Sequence, residues 1–342
     1  MSDGLWAETD ALFALTDLTP AKVAHLTDAS LALRMGDADP ALVEVVATLR
    51  DVDPLGERFG AVFRSTFDQL YDGQHTGRYR WDQLYKTEKT HFGTLIEINL
   101  RREFSDVLCD GDLLDYRVCG HDVDCKFSQR LGGWMLPPEA IGQLVLACTA
   151  NDQLGVWSVG VGRATQDLCR TSVNRDGKTA FTAAGVESIV WLHRDAELPP
   201  NVLLQVDPAL VDQVFAARTG QQRVNQLFRL VTDQRIGRNT VATVAEQDDY
   251  MKRVRANGGA RSTLQLEGIL IAGGDYQAHR IIAEQFGTVV PAPGEFVSFK
   301  VVPALPTDTA PTVELDGTLW RRAAAGEKPW HPAPTLPNTR RT

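Results

Sequence analysis

The stretch "LLDYRVCGHDVDCKFS", Leu113 to Ser128, constrains the fold more than any other. It alternates apolar and polar residues on both sides of a short turn candidate. Strand side chains repeat every two residues, so this pattern predicts a β-hairpin with one apolar and one charged face. With Gly120-His121 as a two-residue loop, Arg117 faces Asp124 and Asp115 faces Lys126. Asp115, Arg117, Asp122, Asp124 and Lys126 then share one face. Leu114, Tyr116, Val118, Val123, Cys125 and Phe127 point into a core. Two carboxylates and a lysine gathered in this way suit a hard divalent cation such as Mg²⁺, which takes one or two protein carboxylates. The arrangement fits metal-assisted phosphodiester hydrolysis. A strand whose polar face merely meets water shows the same alternation. Glu97, between Ile96 and Ile98 on the preceding predicted helix, is a candidate further ligand or an exposed acid on an amphipathic helix.

At 342 residues the chain suits two domains of ordinary size. No apolar run reaches the length of a membrane span, and no basic-then-apolar leader opens the sequence. The five cysteines contain no C-x-x-C pair, which argues against a zinc site or a disulfide framework and points to the cytoplasm. The net charge of -9 is unevenly spread. Residues 1–60 hold eleven acids and four bases, whereas Gln221–Arg261 holds eight bases and four acids. The latter is compatible with DNA binding. Arg235, Arg238, Lys252, Arg253, Arg255 and Arg261 surround its helical run and are candidate phosphate or guanine contacts. Lys86, Lys89 and His91 before the Glu97 helix, and Gln129 and Arg130 directly after the hairpin, are candidate DNA contacts or plain surface residues.

Along the chain, a helical pair is predicted before Leu49, with Leu31, Leu33, Val43, Val45 and Val46 as its packing face. A helix over Gly60–Leu70 follows, then a polar, turn-rich stretch and a helix anchored by Leu95, Ile98 and Phe104. "IGQLVLACTA" reads as a strand or short helix. "LGVWSVGVGRAT" and "VESIVWL" read as strands. A broken helical run from Arg238 is predicted to stop at Gly258-Gly259. "EKPWHPAPTLPNTRRT" reads as a disordered tail.

Several long blocks carry a resemblance. "DQLYDGQHTGRYRWDQLYKTEKTHFGTLIEINLRREF", "DYRVCGHDVDCKFS", "GGWMLPPEAIG" and "RVNQLFRLVTDQRIGRNTVATVAEQDDYMKRVRANGGARS" closely resemble the NaeI-type (type IIE) restriction endonucleases, from about Asp51 to Pro303. The resemblance implies an α/β fold (α+β): a restriction-endonuclease-like PD-(D/E)xK core, then a topoisomerase-like winged-helix or helix-turn-helix DNA-binding domain. The resemblance implies 51–190 endonuclease and 202–325 second DNA-binding domain; 1–50, an acidic helical extension, and 326–342, the tail, lie outside it, and the polar, two-proline stretch His193–Asn201 marks 191–201 as a linker. The resemblance further implies a homodimer that uses Mg²⁺, binds two copies of its double-stranded DNA site and is activated by the second copy. GCCGGC is the implied site, with 5′-phosphate and 3′-hydroxyl products. A cognate methyltransferase would act on the same sequence without binding this chain. By motif, the catalytic set is Glu97, Asp115, Asp124 and Lys126. Glu97, Asp115, Asp124 and the Cys125 backbone carbonyl are the candidate metal ligands, and Asp122 is left as an outward acid near the rim. The stretch "LYDGQH" resembles a DNA-ligase nucleotidyl motif, spanning Leu70, Asp72 and Gly73, with leucine at the lysine position and His75 for arginine. Without an amine at residue 70, no covalent lysine–nucleotide intermediate forms there. The competing expectations are a non-catalytic DNA-binding regulator and a repair or defence nuclease of looser specificity.

Overall fold

The computed structural model describes residues 39–172 and 174–337. The expected Leu31 and Leu33 packing lies outside the described residues. In chain order the first helices are α1 (Pro40–Val52), α2 (Glu57–Tyr71), the one-turn α3 (Gly73–Thr76) and α4 (Lys86–Glu103). Strands β1 (Cys109–Asp110), β2 (Tyr116–Val118), β3 (His121–Ser128), β4 (Leu144–Asn151) and β5 (Val156–Arg163) follow, then α5 (Ala183–Glu187) and β6 (Val190–Glu197). Next come α6 (Val202–Gln205), α7 (Pro208–Phe215), α8 (Gly220–Leu230), β7 (Ile236–Gly237), α9 (Arg238–Ala245) and α10 (Ala260–Gln265). The chain closes with β8 (Ile269–Gly273), α11 (Gln277–Gln285), β9 (Glu295–Pro303), β10 (Thr312–Leu315) and β11 (Thr318–Arg322). The fold is mixed α/β with two sheets. Among the described residues, no helix is long and apolar enough to cross a membrane.

Packing divides the chain into two compact units. Of the described residues, the first holds 39–60, Ile96–Ala150 and Trp157–Ala196; the second holds Ala61–Leu95, Asn151–Val156 and 197–337.

The first unit is built on a six-stranded sheet in sequential order, β1 to β6. β2 and β3 are antiparallel, while β3 and β4 run parallel from Val123 opposite Leu144 to Ser128 opposite Thr149. "IGQLVLACTA" is thus a strand. The apolar runs of β4 and β5 are buried almost without interruption, as befits strands covered on both faces. Helix α1 starts at Asp39, whose side chain accepts the Leu42 amide at 3.1 Å. It buries Leu42, Val45, Val46 and Leu49, whereas Val43, expected in the packing face, is exposed.

The hairpin register differs from the expected one. The loop is Cys119-Gly120, with Arg117 opposite Asp122 and Tyr116 opposite Val123. Both loop residues have positive φ, 50° and 85°, as a type I′ turn demands, and this places glycine second in the loop. The shift in pairing is two residues, so every side chain keeps its face. Continued by one step, the same register sets Asp115 across from Asp124 rather than from Lys126.

The second unit packs α8, α9 and α10 around Val224, Leu227, Phe228, Val241, Val244 and Leu264, with Ile269, Ile271 and Phe296 from β8 and β9. Its sheet runs β10-β11-β9-β7, with β8 also paired to β9. A reciprocal capping box between Thr219 and Gln222 opens α8. The helical run from Arg238 stops at Ala245, where Glu246 turns left-handed, and resumes as a 3₁₀ turn at Tyr250–Val254. Gly258-Gly259 separates that turn from α10 instead of ending one long helix.

Two further expectations give way. The stretch 191–201 is strand β6 as far as Glu197. The Pro-rich tail is docked through Pro337: the Ala333 amide donates to Gln265 O at 2.8 Å, and His279 Nε2 lies 3.1 Å from Pro337 O.

Candidate active site

Helix α4 carries Glu97. Its core stripe is Phe92, Ile96 and Leu100, continued by Phe104 just past the helix end, each four residues from the next and each fully buried. Of the expected anchors Leu95, Ile98 and Phe104, only Phe104 belongs to that stripe; Leu95 is half-buried and Ile98 is exposed. Glu97 sits half-buried beside Ile96. The Tyr116 hydroxyl donates to the Glu97 carbonyl at 2.7 Å, which fixes the helix backbone against β2. The sequence reading placed Tyr116 in the core without this bond. A buried tyrosine hydroxyl needs a partner, and that need was the available signal.

Asp115, Asp124 and Lys126 converge as the shared face requires. Lys126 Nζ donates to Asp124 Oδ1 at 2.6 Å, to the Cys125 carbonyl at 2.9 Å and to Asp115 Oδ2 at 3.3 Å. The three ammonium protons thereby meet three oxygens. Asp115 Oδ2 also accepts the Cys125 amide at 2.8 Å, locking the loop before β2 onto β3. Asp124 is 3% exposed, and its Oδ2 is buried with no hydrogen-bond partner. Buried carboxylate oxygens are rarely left so, because the desolvation cost is then uncompensated. Asp122 stands apart from this cluster. It is half-buried, with its Oδ1 3.7 Å from Arg117 Nε, while Arg117 Nη2 holds Asp112 at 2.6 Å.

The electrostatics follow from these contacts. Burial pushes Asp124 up to about 6, with the Lys126 ammonium opposing the shift. Burial and the Asp115 charge also raise Glu97, against the pull of Lys126. Burial alone would lower Lys126, but its bonds to Asp124 and the charges of both aspartates outweigh that and hold it above the ordinary lysine value. Lys126 is therefore a cation at neutral pH. Among the described residues no three His, Cys, Asp or Glu side chains form a metal cage by themselves; the cluster is two carboxylates and a carbonyl around an ammonium.

The other candidates are placed as follows. Lys86 and Lys89 lie in the first turn of α4, and Gln129 follows β3 directly, half-buried. In the second unit, Arg238, Arg255 and Arg261 line one cavity of about 480 Å³ with Tyr276 and Phe296. Arg238 is held by Asp275 at 2.5 Å. Arg261 donates to Ile271 O at 3.0 Å and lies over the Tyr276 and Phe296 rings. Arg255 is exposed. Arg235 sits 3.6 Å from Glu295, and Lys252 and Arg253 both grip Asp249, at 3.3 and 2.9 Å. In the ligase-like stretch Leu70 is buried and Asp72 is left-handed. A Cβ on Gly73 would meet Thr243 Oγ1 of α9 at 2.1 Å, so glycine is required there for close packing.

Residues 43–330 match the family described as Restriction endonuclease NaeI. The type II restriction enzyme NaeI of Lentzea aerocolonigenes is 46% identical over 314 residues, covering 90% of this chain and 98% of that protein. The match reaches beyond the 51–303 stretch that carries the resemblance in sequence, into α1 at one end and the docked tail at the other. The chain belongs to the NaeI restriction endonuclease family and is a type II site-specific deoxyribonuclease.

Proposed function

We propose that the chain hydrolyses double-stranded DNA at GCCGGC with Mg²⁺, leaving 5′-phosphate and 3′-hydroxyl ends. It does so as a homodimer in which a second copy of the site, bound by the second unit, activates cleavage by the first. A cognate methyltransferase would protect the same sequence. The first unit is read as a PD-(D/E)xK core carrying Glu97, Asp115, Asp124 and Lys126. The second is read as a winged-helix or helix-turn-helix domain whose Arg238, Arg255 and Arg261 meet DNA.

The observation that carries this reading is the Lys126 ammonium bonded to Asp115, Asp124 and the Cys125 carbonyl while Asp124 Oδ2 lacks any donor. Two carboxylates and a carbonyl fit Mg²⁺, and a buried unpartnered carboxylate oxygen is a place for a cation. Asp115, Asp124 and the Cys125 carbonyl would hold it, with Glu97 as a further ligand. When bound, such an ion polarises a phosphoryl oxygen and makes a bound water more acidic. Lys126 keeps its proton, so it acts as a donor to a non-bridging phosphate oxygen rather than as a base. Its bonds to Asp115 and Asp124 fix its position before substrate arrives. Glu97, its carboxyl raised by burial and by the Asp115 charge and its helix clamped through its own backbone carbonyl, would orient the attacking water.

Asp124→Ala and Lys126→Ala are expected to lower plasmid cleavage in Mg²⁺ by on the order of 10²–10³-fold or more. Binding of a GCCGGC duplex in Ca²⁺ should survive. Cleavage at the normal rate by either variant rejects the assignment. Mapping the ends cut from DNA of known sequence tests GCCGGC.

A further inference from the structure

Several arginines of the catalytic unit are neutralised internally. Arg58 pairs with Glu103 and Asp106, Arg101 with Asp110, Arg117 with Asp112, and Arg163 with Asp39. Four other bases fall on two segments that are joined by backbone pairing. Arg130, Arg170, Arg175 and Lys178 are exposed, and none makes an ion pair among the described residues. Three of them lie between Cys169 and Phe181, against the single acid Asp176. That is a local excess of positive charge on a chain whose net charge is -9.

The described residues of the segment that carries them are tied by hydrogen bonds on both sides of its turn. Cys169 pairs with Phe181 and Leu136 with Thr179, both antiparallel. The Arg170 amide donates to Ala180 O at 2.8 Å, and the Thr179 hydroxyl donates to Arg170 O at 2.7 Å. At the tip, the Asn174 side chain accepts the amides of Asp176 and Lys178 at 3.0 and 2.8 Å. This asparagine turn carries Arg175 and Lys178. At the root, Cys169 and Phe181 are buried with Trp134 and Leu136 in the same core cluster.

The root also ties the ribbon to the catalytic strand. β3 carries Asp124 and Lys126, ends at Ser128, and passes through a tight turn in which the Arg130 amide donates to Ser128 Oγ at 3.1 Å. The chain then runs directly to Trp134 and Leu136, and Leu136 exchanges two backbone bonds with Thr179, at 2.8 and 2.9 Å. So the ribbon and Arg130 are fixed to the segment that leaves β3 just after Lys126.

We propose that this ribbon, with Arg130 at its foot, grips the sugar-phosphate backbone of the duplex being cut. The inference rests on the nuclease reading of the β2–β3 site. Exposed, unpaired arginine and lysine are the side chains that displace condensed counterions from DNA. A rigid turn presents them with little ordering cost on binding. Arg175 and Lys178 at the tip make the contacts; Arg170 and Arg130 extend the positive strip back toward the catalytic strand.

The test is Arg175→Ala combined with Lys178→Ala in the full-length protein. Anisotropy with a fluorescent GCCGGC duplex in Ca²⁺, over a salt series, reads binding without hydrolysis. The expected result is affinity weakened by on the order of ten-fold or more, and a log–log salt slope shallower by about two, near 0.9 per lost phosphate contact. In Mg²⁺, the duplex concentration that half-saturates single-turnover cleavage should rise in parallel, with the saturated rate largely kept. Arg102→Ala, an exposed base on α4 outside the ribbon, is the control for bulk charge and should change affinity by less than about two-fold. Wild-type affinity and slope in the double variant overturn the proposal, as does a loss matched by Arg102→Ala. Because binding is read in Ca²⁺, failure of the wild-type chain to cut would count against the nuclease reading and leave this measurement intact.

Discussion

Two buried ion clusters, one in each unit, are made of similar residues and are finished differently. In the second unit, Asp152 is 5% exposed and fully engaged. It accepts Arg64 at 2.5 and 3.2 Å through both oxygens, the Tyr71 hydroxyl at 2.8 Å and Asn201 Nδ2 at 3.4 Å. Arg64 also bridges to Asp68 at 2.8 Å. In the first unit, Asp124 is as deeply buried but has one donor, Lys126, on one oxygen. A satisfied network of buried charges holds a fold in one arrangement. An unsatisfied carboxylate costs stability and is retained where chemistry needs it. Between these two clusters, completeness of pairing rather than burial or charge distinguishes the scaffold from the candidate site.

The comparison breaks first at Asp152. Asp152→Ala strands the Arg64 guanidinium with only Asp68 for company, and losing one partner of a buried pair costs about 3–5 kcal/mol. The expected outcome is a large drop in melting temperature, or an insoluble protein, while Asp124→Ala melts close to wild type. Equal melting temperatures for the two alanine variants would falsify the distinction.

How much of this was legible in the sequence divides along the same line. The period-two pattern from Leu113 to Ser128 revealed which side chains share a face, because that follows from strand geometry alone. The register was missed because the preference for positive φ at Cys119-Gly120 outweighed the assumed Gly120-His121 loop. The burial of Asp124 was not legible either: alternation says which side a residue faces, not whether that side is covered. Composition misled at the tail, where prolines suggested disorder. Backbone bonds from Gln265 and His279, distant in sequence, hold it instead. The same holds for partners such as Glu267 for Arg229 and Asp275 for Arg238, which only the tertiary fold brings within 2.6 and 2.5 Å. Family blocks pointed to the candidate catalytic set; they did not single out the ribbon at Arg175 and Lys178, whose residues look like any polar loop until the backbone bonds that build it are seen.

The second test uses pH. Asp124 has its folded pKa raised from 3.8 to about 6. A raised carboxyl favours the folded state when protonated, so its contribution is full below about 4 and is lost as pH rises through about 6. Asp124→Asn removes that penalty without changing shape. In metal-free buffer with a chelator, the variant should therefore gain on wild type as pH rises from 4 to 8. The gain is at most about 3 kcal/mol, with Lys126 giving up its shortest bond and keeping Asp115 and the Cys125 carbonyl. A difference that stays flat across this range would show that Asp124 is not strained by burial. The same variant should fail to cut DNA, so stability and activity would move in opposite directions at one residue.

The smallest effect sharpens the other half of the contrast. Tyr71→Phe deletes only the hydroxyl that donates to Asp152 Oδ2, in a ring 2% exposed. Asp152 keeps both Arg64 contacts, so the carboxylate is weakened rather than orphaned. The loss should be about 1 kcal/mol, a shift of a few degrees in melting temperature for a chain of this size. Cleavage at 25 °C should be unchanged, because Tyr71 touches no reacting group. Combining Tyr71→Phe with Asp152→Ala gives a double-mutant cycle: once the carboxylate is gone, the hydroxyl has nothing to donate to, and the second substitution should cost almost nothing. Strict additivity of the two would mean that Tyr71 stabilises the unit through packing alone and that the network is not a single cooperative element.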